Sequence, residues 1–466
     1  MRDLFVRLQN MLHAQTGRNR YTLIITITIL MFCGSAWQIF WPTTDPARYQ
    51  CYALTFWLGS KATLLLPAQQ CSFLNITAPQ AAFHMLPREY PPLTLLPFSL
   101  PLLVPIPYYQ FAFVLMMSLI ILVTYWVIQH YGTPGSAITF AFYLLIGAYA
   151  LAQMRYDLLP SLLTLLAVVT AERKRWTIAY ITLAFGVLLK LYPILLLPSL
   201  FIAEQQSNNR FHQPPQTLSL QAVPVQLLLT LRQAKRWQWH NCLLFFAIIF
   251  AITGIFALYN FNNAVISQVS YFAQRPVQIE ATGGTLLWIA HEFGMSWWIT
   301  YTFGSINIVS QFNTIISPLL TLSFLFGVAY TLWLQWRNKL KLAQAMIALI
   351  LVFIVTGKVF SPQYLIWLIP LIAYTGAFES LWASIWIIVS LLTTFIYLFF
   401  YSQVTDSQHI VLPAGFFETV AIRNSLFVLL TVAYLCNWFQ VRQVYAETFP
   451  LLPMQKGDAQ LLQKRI

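Results

Sequence analysis

One carboxylate follows directly on the first long apolar run of the chain and is placed to do acid–base chemistry. This residue is Asp45, which lies just after the run from Tyr21 to Trp41 and opens a mixed polar and apolar stretch that extends to Tyr109. A carboxylate in such a position can accept a proton from a hydroxyl group that acts as a nucleophile. The alternative is that Asp45 is a solvated loop acid, and the residue alone does not decide between the two.

Other ionisable residues occur near the ends of apolar runs. Ionisable groups at membrane depth are costly, and they usually face a cavity or a partner. Arginine and lysine are suited to hold a phosphate group. We therefore expect an outward-facing polar site among Asp45, Arg48, Arg88, Glu89, Arg155, Asp157, Lys190, Arg275, Glu280, Lys358, Asp406 and His409.

The composition is that of an integral membrane protein. Of the 466 residues 59% are apolar and only 8% are charged, whereas a soluble domain carries about 25% charged residues. The net charge of +13 does not indicate nucleic-acid binding, because Lys and Arg collect in the cytoplasmic loops of membrane proteins. The run from Tyr21 to Trp41 is too long for the core of a signal peptide and is interpreted as an uncleaved first helix.

The apolar runs predict an all-α polytopic bundle of about twelve membrane spans. Five basic clusters, with 18 of the 26 Lys and Arg residues, then fall on one side, which the positive-inside rule assigns to the cytoplasm. The predicted regions are a cytoplasmic tail 1–20, a transmembrane domain 21–440 and a cytoplasmic tail 441–466, with outer loops 42–108 and 261–312 and a cytoplasmic loop 204–240. The predicted spans are 21–41, 109–129, 136–153, 157–171, 176–190, 191–203, 241–260, 313–336, 342–358, 361–377, 381–401 and 420–438.

The segment from Tyr90 to Pro107 is apolar but rich in proline. Proline removes backbone donors and breaks helices. We therefore interpret this segment as re-entrant or as lying along the outer interface, where it and the short spans would leave a groove for a lipid.

Several stretches resemble the polyprenyl-phosphate-sugar-dependent glycosyltransferases of the GT-C type, most closely glycosyltransferase family 87. They are Asp45 to Tyr49, Arg88 to Leu93, Tyr156 to Leu158 with Leu189 to Pro193, Arg275 to Glu280, and Ser361 to Trp367. The resemblance implies a GT-C-like bundle in the cell membrane whose first outer loop carries the general base. It also implies transfer of a sugar, often mannose, from a polyprenyl phosphate to a lipid-linked or cell-surface glycan outside the membrane, with inversion.

Carried over by position, the resemblance makes Asp45 the base, with Glu280 as its rival. A second acid often adjoins the first in GT-C enzymes, and here Asp45 stands alone. The donor phosphate would be held by Lys190, Arg275 and Lys358. The substrate-binding residues would be Arg48, Tyr49, Arg88, Glu89, Tyr192, Glu280 and Gln363.

Each of these roles has a structural alternative. Lys190 can extend to the interface without binding phosphate, and Arg275 can pair with Glu280. Arg155 and Asp157 are interpreted as an ion pair at a helix start. No cofactor or metal is expected. The expected partners are membrane lipid, the polyprenyl-linked sugar and a glycan acceptor, without nucleic acid, and the alternative function is that of a transporter or flippase.

Two of the five cysteines, Cys51 and Cys71, lie in the first outer loop, where oxidation is permitted. We predict that they form a disulfide. The other three, Cys33, Cys242 and Cys436, lie in or beside apolar runs and are interpreted as ordinary packed residues.

The distribution of basic residues predicts that loop 204–240 is cytoplasmic and that loop 261–312 is outside. A membrane-impermeant thiol reagent applied to intact cells should therefore modify an Asn262→Cys variant and leave a Ser207→Cys variant unmodified. Labelling of the Ser207→Cys variant before cell lysis would contradict this orientation.

Overall fold

A computed structural model describes residues 20–76, 78–208, 232, 234–376, 380–403 and 410–436. Residues 1–19 of the predicted N-terminal tail, all of the predicted C-terminal tail 441–466, most of loop 204–240, and Asp406 and His409 lie outside these residues. The described α-helices are α1 (Arg20–Ser35), α2 (Asp45–Leu58), α3 (Leu95–Ser99), α4 (Tyr109–Tyr131), α5 (Ser136–Ala148), α6 (Leu158–Glu172), α7 (Trp176–Leu189), α8 (Leu197–Ser207), α9 (His240–Phe261), α10 (Ser267–Gln274), α11 (Thr282–Glu292), α12 (Asn313–Trp336), α13 (Leu342–Thr356), α14 (Tyr364–Thr375), α15 (Ser380–Phe395) and α16 (Phe416–Leu435).

The helical membrane protein predicted from composition is confirmed. Within the described residues, six helical segments are long and apolar enough to cross a membrane. Each of the other predicted spans also contains a helix, but a shorter one; α6, for example, has 15 residues. Such a helix rises about 22 Å, less than the roughly 30 Å of a hydrocarbon core. The count of twelve spans therefore stays a prediction. The six long segments are Tyr21–Gln38, Ile106–Tyr131, His240–Tyr271, Asn313–Trp336, Leu381–Gln403 and Phe416–Leu435.

The centre of the bundle is formed by α13 and α14. Every residue of α14 from Tyr364 to Tyr374 is buried, and α14 packs against α5, α6 and α13. A helix that is apolar on all sides is stable only when protein or lipid surrounds it. The chain between α13 and α14, residues 357–363, is not helical and carries polar groups into the bundle.

Helix α7 connects two polar ends of the molecule. At its first turn, the Thr177 hydroxyl donates to Asn241 at 3.0 Å, and the Asn241 amide donates to the buried carboxylate of Glu204 at 2.6 Å. At its other end, Lys190 has an extended backbone (φ −156°, ψ 138°). A 3-10 turn, Tyr192–Leu196, with Pro193 at its second position, then leads into α8. This break puts Lys190 at the end of α7 that lies opposite Glu204.

The first predicted loop, 42–108, contains a helix that the sequence analysis missed. Helix α2 begins at Asp45, where the Thr44 hydroxyl accepts a hydrogen bond from the Ala47 amide at 3.3 Å and Pro46 occupies the first turn. Serine, threonine and aspartate caps stabilise a helix start, and proline is tolerated there. The proline-rich segment of the same loop forms only short helical turns between Pro92 and Tyr108, so it contains no continuous spanning helix.

The all-α description needs one addition. A small antiparallel sheet of order β1–β3–β2 is formed by β1 (Val277–Gln278), β2 (Trp298–Thr302) and β3 (Ser305–Val309). Strand β1 is tied to the chain between α13 and α14. The Gln278 amide donates to the Lys358 carbonyl at 2.9 Å, and the Phe360 amide donates to the Gln278 side chain at 3.0 Å.

The predicted disulfide is confirmed, because Cys51 and Cys71 are joined with their Cα atoms 5.7 Å apart. Cys51 lies on the buried face of α2. The bridge therefore attaches α2 to the segment that follows it.

We expect a variant with both Cys51→Ser and Cys71→Ser to unfold at a lower temperature than the native protein. The bridge closes a loop of sequence separation 20, and closing a loop of about this size contributes roughly 3 kcal/mol. A thermal-shift assay in detergent, with and without reductant, measures the difference. The variant Cys33→Ser, which removes a free and exposed thiol, is the control. Equal unfolding temperatures for all three proteins would contradict the prediction.

Candidate functional site

A polar cavity of about 460 Å³ lies where α2, the chain after α7, the sheet and the break before α14 meet. Its wall carries three carboxylates, four cations and a set of aromatic rings. These residues are Asp45, Glu89 and Glu280; Arg48, Arg155, Lys190 and Arg275; and Tyr90, Tyr271, Tyr301, Phe303, Tyr364, Tyr397 and Tyr401.

Asp45 is held by an arginine from another part of the chain. The Arg155 guanidinium lies 2.7 Å from the Asp45 carboxylate. The side chains are 20% and 18% exposed, respectively, so the pair lies at the wall of the cavity and not in its packed surroundings. The prediction that Arg155 pairs with Asp157 is therefore wrong. Although the two are close in sequence, Arg155 is directed towards the start of α2.

Asp157 pairs instead with Lys190. The Lys190 ammonium donates a short hydrogen bond to the Asp157 carboxylate, and the Trp367 indole donates to the same oxygen at 2.7 Å. Asp157 is buried, while Lys190 reaches the cavity. The break after α7 thus brings a lysine to the cavity wall with a carboxylate behind it.

A third pair is formed by Arg48 of α2 and Glu89. The two side chains form an ion pair through one Arg48 nitrogen, and the Tyr52 hydroxyl donates to the same Glu89 oxygen at 3.1 Å. Arg48 follows Asp45 by three positions on one helix. Because residues three apart lie on the same face of a helix, α2 presents both charges to the cavity.

The fourth pair, Glu280 with Arg423, is fully buried, with exposures of 1% and 0%. One Arg423 nitrogen lies 3.3 Å from the Glu280 carboxylate, and the other donates to the Glu280 carbonyl at 2.7 Å. The Tyr401 hydroxyl donates to the carboxylate at 2.7 Å. Burial raises the pKa of the Glu280 carboxyl, and the Arg423 guanidinium opposes that rise.

Arg275 differs from the other cations of the wall. Within the part of the chain that the structure describes, it forms no ion pair. Its Nε atom is buried without a hydrogen-bond partner, as are those of Arg48 and Arg155. Its guanidinium lies 5.6 Å from the centre of the Tyr271 ring. Arg275 is therefore available to an anion in the cavity, and it does not pair with Glu280.

Seven of the eleven predicted site residues line the cavity, namely Asp45, Arg48, Glu89, Lys190, Arg275, Glu280 and Gln363. Four do not. Tyr49 is buried and stacks on Phe98, and Tyr192 is buried and stacks on Trp367. Arg88 is exposed, and the part of Lys358 that contacts the sheet is its backbone carbonyl.

Arg155 was expected in the polar site only as the partner of Asp157, and Arg423 and most of the aromatic residues of the wall were not predicted as site residues. Arg423 had a usable signal, because it lies inside an otherwise apolar helix, where ionisable residues usually have a partner. The aromatic residues had none, since tyrosine and phenylalanine occur throughout this chain. No group of three or more His, Cys, Asp or Glu side chains that could hold a metal ion occurs among the residues described.

A second concave surface, the apolar groove, has a volume of about 910 Å³. Its wall is almost wholly apolar and comes from α2, the proline-rich segment, α6 and α7. Two groove residues are close in sequence to cavity residues, since Leu189 precedes Lys190 and Leu93 follows Tyr90 by three positions. The groove is lined by Leu54, Trp57, Leu58, Leu93, Leu96, Pro97, Ser99, Leu100, Leu102, Leu103, Leu159, Leu163, Phe185 and Leu189.

A comparison with protein families finds a match over part of the chain. Residues 89–213 match glycosyltransferase family 87. The resemblance to this family is thus confirmed over a range that holds Glu89, Arg155, Asp157 and Lys190, and it indicates a membrane glycosyltransferase in general. The matched range does not include Asp45, Arg275 or Glu280. Searches of curated proteins and of solved structures found no match.

Because the pair is buried, we expect Arg423→Met to lower the stability of the protein strongly. This change keeps much of the side-chain volume but leaves Glu280 buried without its cation, which costs about 3–5 kcal/mol. Adding Glu280→Gln should restore most of that loss, because no buried charge then remains. Unfolding temperatures of the native protein, both single variants and the double variant form a double-mutant cycle that measures the coupling. Additive effects of the two changes would contradict the pairing.

The Arg423→Met variant should also acquire a pH dependence. Without the guanidinium, the folded-state pKa of Glu280 rises further above its unfolded value. The folded state then binds the proton more tightly, so stability is greatest at low pH and falls as pH rises towards the folded pKa. We expect the unfolding temperature of the variant to fall more steeply than that of the native protein between about pH 5 and pH 8. Parallel curves would contradict this expectation.

Proposed function

We propose that this protein transfers a sugar, mannose or a similar hexose or pentose, from a polyprenyl phosphate to a lipid-linked or cell-surface glycan. The reaction takes place at the outer face of the cell membrane, with both termini in the cytoplasm and about twelve spans in the bundle. The observation that carries the proposal is a polar cavity and an apolar groove that are lined by the consecutive residues Lys190 and Leu189. One arginine of the cavity, Arg275, forms no ion pair among the described residues. A polyprenyl-phosphate sugar has the same division, with a charged head and a long apolar chain.

The general base in this proposal is Asp45. It takes the proton from an acceptor hydroxyl, the hydroxyl oxygen attacks C1 of the sugar, and the bond from C1 to the phosphate oxygen breaks with inversion. General-base help of this kind contributes about 10²–10⁴-fold in rate. The Arg155 guanidinium, 2.7 Å away, fixes the direction of the carboxylate.

Burial favours Asp45 over Glu280 as the base. The Glu280 side chain is 1% exposed and is held by Arg423 and Tyr401, so an acceptor hydroxyl would have to displace one of these partners. The Asp45 side chain is 18% exposed at the cavity wall. Glu280 therefore serves to fix the segment that carries Arg275.

The leaving phosphate is held by cations of the wall. Arg275 is the leading candidate, because a guanidinium can bind two phosphate oxygens at once and this one forms no ion pair among the described residues. Lys190 can contribute a second contact, although Asp157 already balances its charge. The lipid chain then lies in the apolar groove, whose residue Leu189 is adjacent to Lys190.

Turnover and donor affinity should respond differently to two changes. Asp45→Asn keeps the size of the side chain but removes its basicity, so turnover should fall about 10²–10⁴-fold with little change in donor binding. Arg275→Ala removes a contact to the phosphate and should weaken donor binding about 10- to 100-fold. The measurement uses the purified protein in nanodiscs with radiolabelled polyprenyl-phosphate mannose, and it records donor binding and release of the sugar from the lipid.

Two changes at exposed positions serve as matched controls, Glu292→Gln for the acid and Lys61→Ala for the cation. If Glu280→Gln abolished turnover while Asp45→Asn did not, Glu280 would be the base. If neither acid affected any transfer, or if the labelled lipid crossed the bilayer intact, the transporter or flippase alternative would replace the proposal.

A further inference from the structure

The turn between β2 and β3 is occupied by an unexpected residue. It has two residues, Phe303 and Gly304, and both have positive φ, 53° and 66°. A two-residue turn of this kind favours asparagine and glycine, because a positive φ is unfavourable for a bulky side chain. Asparagine or glycine would form the turn without strain, so the fold itself does not call for the ring of Phe303.

The surrounding residues hold the turn in place. The Tyr271 hydroxyl donates to the Phe303 carbonyl at 2.7 Å, and the rings of the two residues meet edge to face with centroids 5.3 Å apart. The buried Asn307 side chain donates to the Thr302 carbonyl at 2.8 Å. The strained conformation is thus supported from both sides, as is common where strain serves a function.

The turn and its strand carry aromatic surface to the polar cavity. Phe303 is half-buried and Tyr301 is 51% exposed, and both line the cavity. A Cβ atom added to Gly304 would lie 3.5 Å from an Arg48 nitrogen, so the turn is close to the pair of Arg48 and Glu89. Aromatic faces beside planar charged groups are suited to a sugar ring, since the C–H face stacks on the ring and the hydroxyls bond to the charges.

The position of the turn points to the acceptor. None of the residues from Trp298 to Val309 lines the apolar groove, so the turn has no part in the surface suited to the donor chain. We propose that Phe303 and Tyr301 form a carbohydrate subsite that receives a sugar ring of the acceptor. This subsite rests on the proposed function and names the residues that would receive the acceptor glycan.

Binding of simple glycosides tests the subsite without turnover. The probes are methyl α-mannoside, methyl α-glucoside and methyl β-galactoside, and saturation-transfer NMR on the protein in nanodiscs reports contact with their ring C–H groups. Phe303→Asn keeps a residue that favours the turn, and Tyr301→Thr keeps one that favours a strand. We expect each to weaken binding of the preferred glycoside about tenfold.

The matched control is Trp298→Thr, which removes an exposed ring from the same strand but outside the cavity. It should leave glycoside binding unchanged, and the unfolding temperature of Phe303→Asn should equal or exceed that of the native protein. Absence of binding by all three glycosides to the native protein would overturn the subsite, as would native affinity in Phe303→Asn.

The subsite and the proposed function fail in different ways. If Asp45→Asn stops sugar release from the donor while Phe303→Asn binds glycosides normally, only the subsite is wrong. If the native protein never releases sugar from the donor but binds glycosides through Phe303, the proposed function is wrong and the aromatic turn is a carbohydrate site of another kind.

Discussion

The cost of placing charge inside an apolar bundle is the constraint on which this structure depends. A buried charge is tolerated only when it is paired and hydrogen-bonded. Four carboxylates at or behind the cavity wall each have a cation, and every pair joins distant parts of the chain. The pairs therefore connect α2 with the chain after α7 through Arg155 and Asp157, and the segment after β1 with α16. Arg275, which stays outside this pairing among the described residues, is consequently the cation left for a ligand.

Breaks between helices bring polar side chains into the bundle. Lys190 follows the end of α7, and Gln363 lies between α13 and α14. Irregular backbone at membrane depth requires cover by protein or contact with water, and a polar cavity meets both conditions. The short helices α7, α13 and α14 are thus related to the site, because α7 and α13 end, and α14 begins, at the breaks that bring Lys190 and Gln363 to the cavity.

A helix falls in every apolar run that was predicted as a span, since burial in lipid or in the core leaves a continuous apolar signal. The gathering of charges at helix ends also predicted most of the charged cavity wall. The partner of each charged residue was not predictable from the sequence. Arg155 and Asp157 are two positions apart, yet Arg155 pairs with Asp45 and Asp157 pairs with Lys190, because the chain turns between them. Tyr49 follows Arg48 directly, and one helical step of 100° moves its ring from the cavity into the core. Strand β1 has only two residues, too few for an alternating pattern.

The pairing of Glu280 with Arg423 has a consequence for biosynthesis. The two residues are separated by 143 positions, and a chain is made and inserted from its N-terminus. Asp45, Arg155, Asp157 and Lys190 are all present before Glu280 is translated, so their pairs can form early. Glu280 remains without its cation until α16, the last described helix, has entered the membrane. The segment that carries Arg275 is therefore the last part of the cavity to reach its final position. A nascent chain that ends before α16 contains the acids of the site but lacks Arg423, the partner of the buried Glu280.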